Sequence, residues 1–221
     1  MDYRDTPEEA AFRKEVHEFI QKESPRNVVR GEGGYGGQGE AWKAWVKKLA
    51  DRGWVAPAWP KEYGGAGMSV MEQFIFNWEM AEARAPRPGG IATGFAGPTL
   101  IVHGTDEQKQ KYLPEILDGE TVWCHGYSEP GGHMAKWMIL LPRTDPDAPK
   151  HRGITYFIAD MKAPGVTVRP LINAAMTHEF NEVFFEDVRI PKENIIGEEN
   201  RGWYLAQRTL SFERSNIGGA G

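Results

Sequence analysis

Apolar residues recur at helical spacing through the first half of the chain and then change period, and that change divides the sequence. Phe12, Val16, Phe19 and Ile20 share one helical face. Thr6-Pro7-Glu8-Glu9 precedes them with a capping hydroxyl, a proline at the first helical position and a glutamate three residues after the cap, so an amphipathic helix is predicted there. Trp42, Trp45, Val46 and Leu49 mark a second helix, after a glycine-dense stretch over 31–39 and ending near Gly53. Residues 54–67 set Trp59 and Tyr63 among proline and glycine turns, which predicts an ordered loop, since a flexible linker gains nothing from tryptophan. Ser69-x-x-Glu72 opens a helix through Phe74, Ile75, Trp78 and Ala81 that Pro86 and Pro88 close. Thr105-x-x-Gln108 opens another through Tyr112, Leu113 and Ile116, stopped by Gly119. Trp42, Trp45 and Trp78 lie on apolar faces and are expected in the core.

From about Thr121 the runs 137–141, 154–161, 166–172 and 182–190 are short, rich in β-branched and aromatic residues, and separated by Pro, Gly and Asp turns. They read as strands. From Arg201 the helical period returns with Trp203, Ala206, Leu210 and Ile217. Helix, strand and helix in blocks, rather than in alternation, predict an α+β multidomain chain. Its expected parts are an N-terminal all-helical domain over 1–120, a middle β domain over 121–200, and a helix over 201–221 whose apolar face needs partners.

Charge narrows the function. The 221 residues hold 26 Lys and Arg against 31 Asp and Glu, with no basic run, which argues against nucleic acid or an anionic membrane as the main partner. A single cysteine, Cys124, excludes an internal disulfide, and no apolar run is long enough for a membrane span or a secretory core, so a reducing, cytoplasmic setting is expected. His103, His151 and His178 lack metal-like spacing, and no metal is expected. Gly31-x-Gly33-x-x-Gly36 fits the dinucleotide fingerprint literally, but Ser24-Pro25-Arg26-Asn27 ahead of it is no buried strand, so it reads as a loop joining two helices. Lys136, Arg143, Lys150 and Arg152 read as the charges that strand ends and turns carry.

The chemistry concentrates at Trp123-Cys124-His125-Gly126-Tyr127-Ser128-Glu129-Pro130-Gly131, and here the chain resembles the acyl-CoA dehydrogenase family of flavoproteins. The resemblance also covers Trp59-Pro60-Lys61-Glu62-Tyr63-Gly64-Gly65, His103-Gly104-Thr105-Asp106-Glu107-Gln108-Lys109 and Phe180-Asn181-Glu182-Val183-Phe184-Phe185. It continues through Val188-Arg189-Ile190-Pro191, Ile196-Gly197-Glu198-Glu199-Asn200 and Arg201-Gly202-Trp203. It implies the family's fold: an N-terminal helical domain, a middle β-barrel-like domain and a C-terminal helical bundle of which this chain holds only the start. It implies FAD, with His125, Tyr127 and Ser128 lining the isoalloxazine ring. The implied reaction is α,β-dehydrogenation of an acyl-CoA to the trans-2-enoyl-CoA, with electrons passed to electron-transfer flavoprotein or a similar acceptor. Actinobacterial members resemble the chain most in the loop at Trp59 and the last helix, which implies a homo- or hetero-tetramer, including α2β2 with a paralogous subunit.

Two departures stand out. After Gly131 the family pattern runs on through about three more strands and a flavin-touching Trp-Ser/Thr pair, whereas here Gly132-His133-Met134 follows at once. A segment is expected to be missing near 131–133, and joining the flanking strands directly leaves sheet edges unpaired. The bundle that shapes much of the acyl pocket is also incomplete, so the substrate-binding residues are not identified.

Such a reaction needs one desolvated carboxylate to take the α proton. Glu213 is the candidate: with Trp203, Ala206, Leu210 and Ile217 it recurs at spacings of three and four, and Ser211-Phe212-Glu213-Arg214 resembles the subgroup, including isovaleryl- and long-chain enzymes, whose base sits on this helix. The competing reading pairs Glu213 with Arg214 or a partner's charge. Two alternatives to the dehydrogenase stand beside it: a non-catalytic or half-site subunit of a hetero-oligomer, and a related oxidase or monooxygenase using oxygen.

Overall fold

The computed structural model of the chain describes residues 4–25, 39–119, 121–126, 132–176 and 178–217, with the backbone alone described for residues 179 and 212–217. The glycine motif at 31, 33 and 36 lies outside the described residues.

Three helices start at reciprocal capping boxes. In α1 (Pro7–Glu23) the Thr6 hydroxyl accepts from the Glu9 amide while the Glu9 carboxylate accepts from the Thr6 amide at 2.8 Å. Ser69 and Glu72 do the same for α3 (Val70–Glu82), and Thr105 and Gln108 for α5 (Asp106–Leu117). Gln108 has a second use. Its Nε2 donates to the carbonyls of Glu193 and Ile195, both at 2.7 Å, tying the start of α5 to the segment that leads into the last helix.

Helix α2 (Glu40–Ala50) buries Trp42, Trp45, Val46 and Leu49, and with Val16 and Ile20 of α1 and Phe76 and Met80 of α3 it forms the first core. Trp45 donates its indole N–H to the Pro86 carbonyl at 2.7 Å. Buried in the same helical layer, Glu79 accepts from Arg13 at 3.1 Å and lies 2.9 Å from His17 Nδ1, so a carboxylate removed from water is compensated by two cationic or donor groups from α1. Trp78 is a correction. Its side chain is 55% exposed, because α3 turns Ile75, Phe76, Glu79 and Met80 inward and places Trp78 beside Phe74 on the opposite side.

Two elements were not legible in advance: a π-helical turn over Ala92–Ala96 running directly into α4 (Gly97–His103). With Trp59, Tyr112 and Ile116 they form a second core that extends to the strands and the last helix.

The strands form two small sheets. In the first, β1 (Trp123–His125) pairs parallel with β2 (Trp137–Leu140), which pairs antiparallel with β3 (Phe157–Asp160). In the second, β4 (Val166–Ile172) pairs antiparallel with β5 (His178–Phe185), and no further strand joins either edge among the described residues. The expected strand over 182–190 is displaced toward the N-terminus, because the chain turns after Phe185 with Asp187 at φ +53°. The expected run 154–161 keeps only its second half as a strand.

The last helix, α6 (Gly202–Ile217), starts tightly against the sheet: a Cβ at Gly202 would meet the backbone of Thr155 and Tyr156. Its buried face is Gly202, Leu205, Ala206 and Thr209, spaced at three and four. That corrects the expected apolar stripe, for Trp203 is exposed beside His151 and Leu210 only partly covered. No helix among the described residues is long and apolar enough to cross a membrane.

Candidate active site

His125 ends β1 and is 5% exposed. Parallel pairing sets it beside Ile139, and the next amide, Gly126, donates to the Ile139 carbonyl at 2.7 Å, so the backbone is held in the sheet up to the point where the Tyr127–Ser128 segment begins. The imidazole meets Phe95 edge to face, with centroids 4.9 Å apart and planes at 85°. Phe95 belongs to the π-helical turn, which packs on both β1 and α6. The turn is in its own turn held by Trp59, whose indole N–H donates to the Thr93 carbonyl at 2.9 Å. Irregular helical turns of this kind recur at functional sites because they re-aim side chains that a regular helix would direct elsewhere.

Tyr127 and Ser128 lie outside the described residues. Glu213 lies on α6, one turn after Thr209 and so on the same backbone stripe as the buried positions; its side chain is outside the described residues. Of the four sequence-derived candidates, only His125 therefore has described surroundings.

Three polar residues that the sequence did not single out anchor α6 from below. Thr209 donates to the Leu205 carbonyl at 3.1 Å, and its oxygen lies 2.9 Å from Thr99 Oγ1 and 3.2 Å from the Tyr156 phenol. All three side chains are buried, and burial pushes the Tyr156 phenol up to about 12. Nearby, His103 at the end of α4 holds a buried Nε2 without a hydrogen-bond partner among the described residues; desolvation, then the charge of Arg208, lowers its pKa. Threonines and a tyrosine in apolar runs give no periodic signal, which is why the sequence pattern passed over them. Lys136 pairs with Glu115 at 2.8 Å, and Arg143 donates to the carbonyls of Asp145, Ala148 and Lys150, so both cations have local work.

The family model for the acyl-CoA dehydrogenase N-terminal domain matches residues 6–120, more than half the chain. The chain belongs to the acyl-CoA dehydrogenase family. FadE34, an acyl-CoA dehydrogenase of Mycobacterium tuberculosis (strain ATCC 25618 / H37Rv), is 40% identical over 196 residues, taking in 75% of this chain and 27% of its own length. IpdE1, an acyl-CoA dehydrogenase of the same organism, is 34% identical over 221 residues, taking in 85% of this chain and 57% of its own. Among solved structures, the Tcur3481-Tcur3483 steroid ACAD superposes with a TM-score of 0.80 at 32% identity over 99% of this chain and 64% of that one. The ChsE4-ChsE5 complex from Mycobacterium tuberculosis superposes with a TM-score of 0.75 at 31% identity over 96% of this chain and 61% of that one. The chain thus spans less than two thirds of the length of each of these relatives.

The alignments also carry a length signal. Three quarters of 221 residues is about 166, yet the FadE34 alignment runs over 196 positions, so about thirty positions of that relative have no counterpart here. IpdE1 gives a similar surplus. The break expected after Gly131 falls between β1 and β2, parallel neighbours separated by residues 126–136 in the sequence, a short connection for a parallel pair.

Proposed function

We propose that the chain is part of an FAD-dependent acyl-CoA dehydrogenase that oxidises a saturated acyl-CoA thioester to the trans-2-enoyl-CoA. The observation that carries this reading is the superposition of 99% of the chain on a steroid acyl-CoA dehydrogenase at 32% identity. The chemistry of the donor set at the end of β1 supports it: a buried imidazole against an aromatic edge, followed in sequence by a phenol and a hydroxyl, suits the polar rim and apolar face of a flavin ring. The flavin, when bound, supplies the hydride acceptor.

In this reading His125, Tyr127 and Ser128 hold the edge of the ring, and Glu213 takes the α proton of the thioester. The anchoring of α6 by Gly202, Leu205, Ala206 and Thr209 fixes the axial position of the helix that carries Glu213. Residues 1–120, 121–200 and 201–221 act as helical domain, β domain and first part of a C-terminal bundle. Electron-transfer flavoprotein or a similar acceptor takes the electrons, and the assembly is a tetramer. An α2β2 form with a paralogous subunit is supported by the two-component solved relatives. Bulky acyl chains, such as steroid side chains, are the favoured substrates by the same relation.

The absence of about thirty family positions favours one alternative, a subunit that contributes structure while a partner performs the chemistry. One experiment separates them. The protein, purified with any co-expressed partner, is mixed anaerobically with acyl-CoA esters while its visible spectrum is recorded, beside Glu213→Gln. Bleaching of an oxidised flavin band that the variant loses is the expected result. Bound flavin that the variant still bleaches moves the base elsewhere, and absence of flavin establishes the structural subunit.

A further inference from the structure

Phe95 is the one large side chain in the π-helical turn, whose other residues are Ala92, Thr93, Gly94 and Ala96. Pro98 helps to set the shape of that turn. It has no amide proton to offer, and the Gly97 amide donates five residues back, to the Ala92 carbonyl, so the Thr93 carbonyl is left outside the helical ladder. The Trp59 indole N–H takes it up at 2.9 Å. The turn is thereby tied at its middle to the loop at Trp59, and Phe95, two residues on, reaches the end of β1. There, pairing with Ile139 and the Gly126 hydrogen bond to the Ile139 carbonyl fix the backbone of His125 but not its ring. A histidine χ2 is a broad, roughly two-fold torsion, so a strand end alone leaves the plane of the imidazole open. Phe95 closes it. The two rings stand at 85° with centroids 4.9 Å apart, inside the range in which perpendicular aromatic rings attract. Core packing alone does not account for the contact, because Phe95 stays only half-buried while its small neighbours Ala92 and Ala96 are buried.

We propose that Phe95 is a positioning residue for the flavin: it holds the plane in which His125 meets the isoalloxazine and acts through His125, without touching the reacting atoms. This rests on the flavin role of His125 proposed above. A freely turning imidazole has to be ordered when the cofactor arrives, and that ordering is lost from the binding free energy, whereas a ring already held in place gives up little. A perpendicular aromatic contact is of a size that corresponds to about a three- to tenfold difference in affinity. The local sequence is consistent with that use: small residues let the turn pack closely, and one phenyl ring is kept for the imidazole.

FAD titration of the protein, purified with any co-expressed partner, tests this in a mutant cycle over Phe95→Leu and His125→Gln, read by quenching of flavin fluorescence and by the visible circular dichroism of the bound flavin. Phe95→Leu is expected to bind FAD about three- to tenfold more weakly and to alter the flavin dichroism, while Phe95→Tyr, which keeps the ring, retains both wild-type values. With His125→Gln already present, Phe95→Leu should add no further loss. Should the leucine variant not fold, Phe95→Met takes its place in the cycle. Equal losses from Phe95→Leu in both backgrounds, or no loss at Phe95 beside a clear loss at His125, would overturn the proposal and leave the flavin role of His125 standing. A His125→Gln protein that binds FAD as the wild type does, or a wild-type protein that takes up none, overturns that role and the proposal with it.

Discussion

The hydroxyl of Thr209 on α6 lies 2.9 Å from the hydroxyl of Thr99 on α4, across 110 residues of chain. Thr209 has one proton and spends it on the Leu205 carbonyl, so its oxygen accepts from Thr99 and, at 3.2 Å, from Tyr156 on the approach to β3. One buried oxygen thereby joins the helical layer, the sheet and the helix that carries Glu213. Apolar packing alone would let α6 slide along its axis; a hydrogen bond of fixed geometry does not.

Thr209→Val keeps the shape of the side chain and removes the acceptor, leaving two buried hydroxyls without it. The expected cost is about 1–3 kcal/mol in urea unfolding, while Thr209→Ser, which keeps the oxygen, costs less. Equal stability of the valine variant and the wild type would show that the network does not seat the helix.

Tyr156 gives the same network a pH signature. Its folded pKa, raised by burial to about 12, exceeds the ordinary phenol value of 10. The folded state therefore prefers the neutral phenol: the stabilisation is fully present below pH 10 and is lost as pH rises from 10 toward 12, amounting to about 2–3 kcal/mol. Absorbance at the tyrosinate band should show Tyr156 ionising only with unfolding, a late step that Tyr156→Phe should remove. A tyrosine population that titrates uniformly near 10 would contradict the burial.

Much of this architecture is legible in the sequence where local chemistry decides it. Thr6, Ser69 and Thr105 each satisfy the first amides of a helix regardless of what packs around them, and the helix starts follow. The segment from Gly89 to Gly104 is different. Its glycines and small residues carry no cap and no stripe, and the helical turns there exist because Trp59, β1 and α6 enclose them, a tertiary cause. The face of α6 is misread for a related reason: Trp203 is the largest side chain of its first turn, yet the sheet approaches so closely at Gly202 that the face of Gly202, Leu205, Ala206 and Thr209 fits against it instead. At the site, the strand fixes where His125 sits, the flavin roles of His125, Tyr127 and Ser128 come from family resemblance, and Glu213 alone is also marked by helical spacing.

Trp78 and Glu79 are sequence neighbours with inverted expectations. Trp78→Gln should change stability by no more than about 0.5 kcal/mol, since the indole is exposed and packs beside Phe74 on the outer side of α3. Glu79→Ala leaves Arg13 and His17 facing a buried gap and should cost about 2–4 kcal/mol. Thermal or urea unfolding of the two variants checks both, and a larger loss for the tryptophan would reverse the assignment of the α3 faces.

The junction between the π-helical turn and α4 aims Phe95 at His125. Gly97 is the first residue of α4, and a Cβ placed there would fall 1.8 Å from Cζ2 of the Trp59 ring, far inside contact distance. Trp59 is buried and hydrogen-bonded to Thr93 inside the π-helical turn, so it cannot yield without releasing that carbonyl. Gly97→Ala therefore forces a choice: the indole rotates and gives up its acceptor, or α4 moves outward and draws the turn, and Phe95 with it, away from β1. Either way the cost is about 1–3 kcal/mol, the usual range for overpacking a filled core. Trp59→Leu makes room for the added methyl, so the double variant should lose less than the sum of the two single losses in a mutant cycle. Strict additivity would mean that Gly97 is needed for some reason other than the approach of Trp59. If coupling is found, fluorescence separates the two responses: a rotated indole exposed to solvent shifts to the red, whereas a displaced α4 leaves the emission of Trp59 in place while the turn at Phe95 exchanges its amide protons faster.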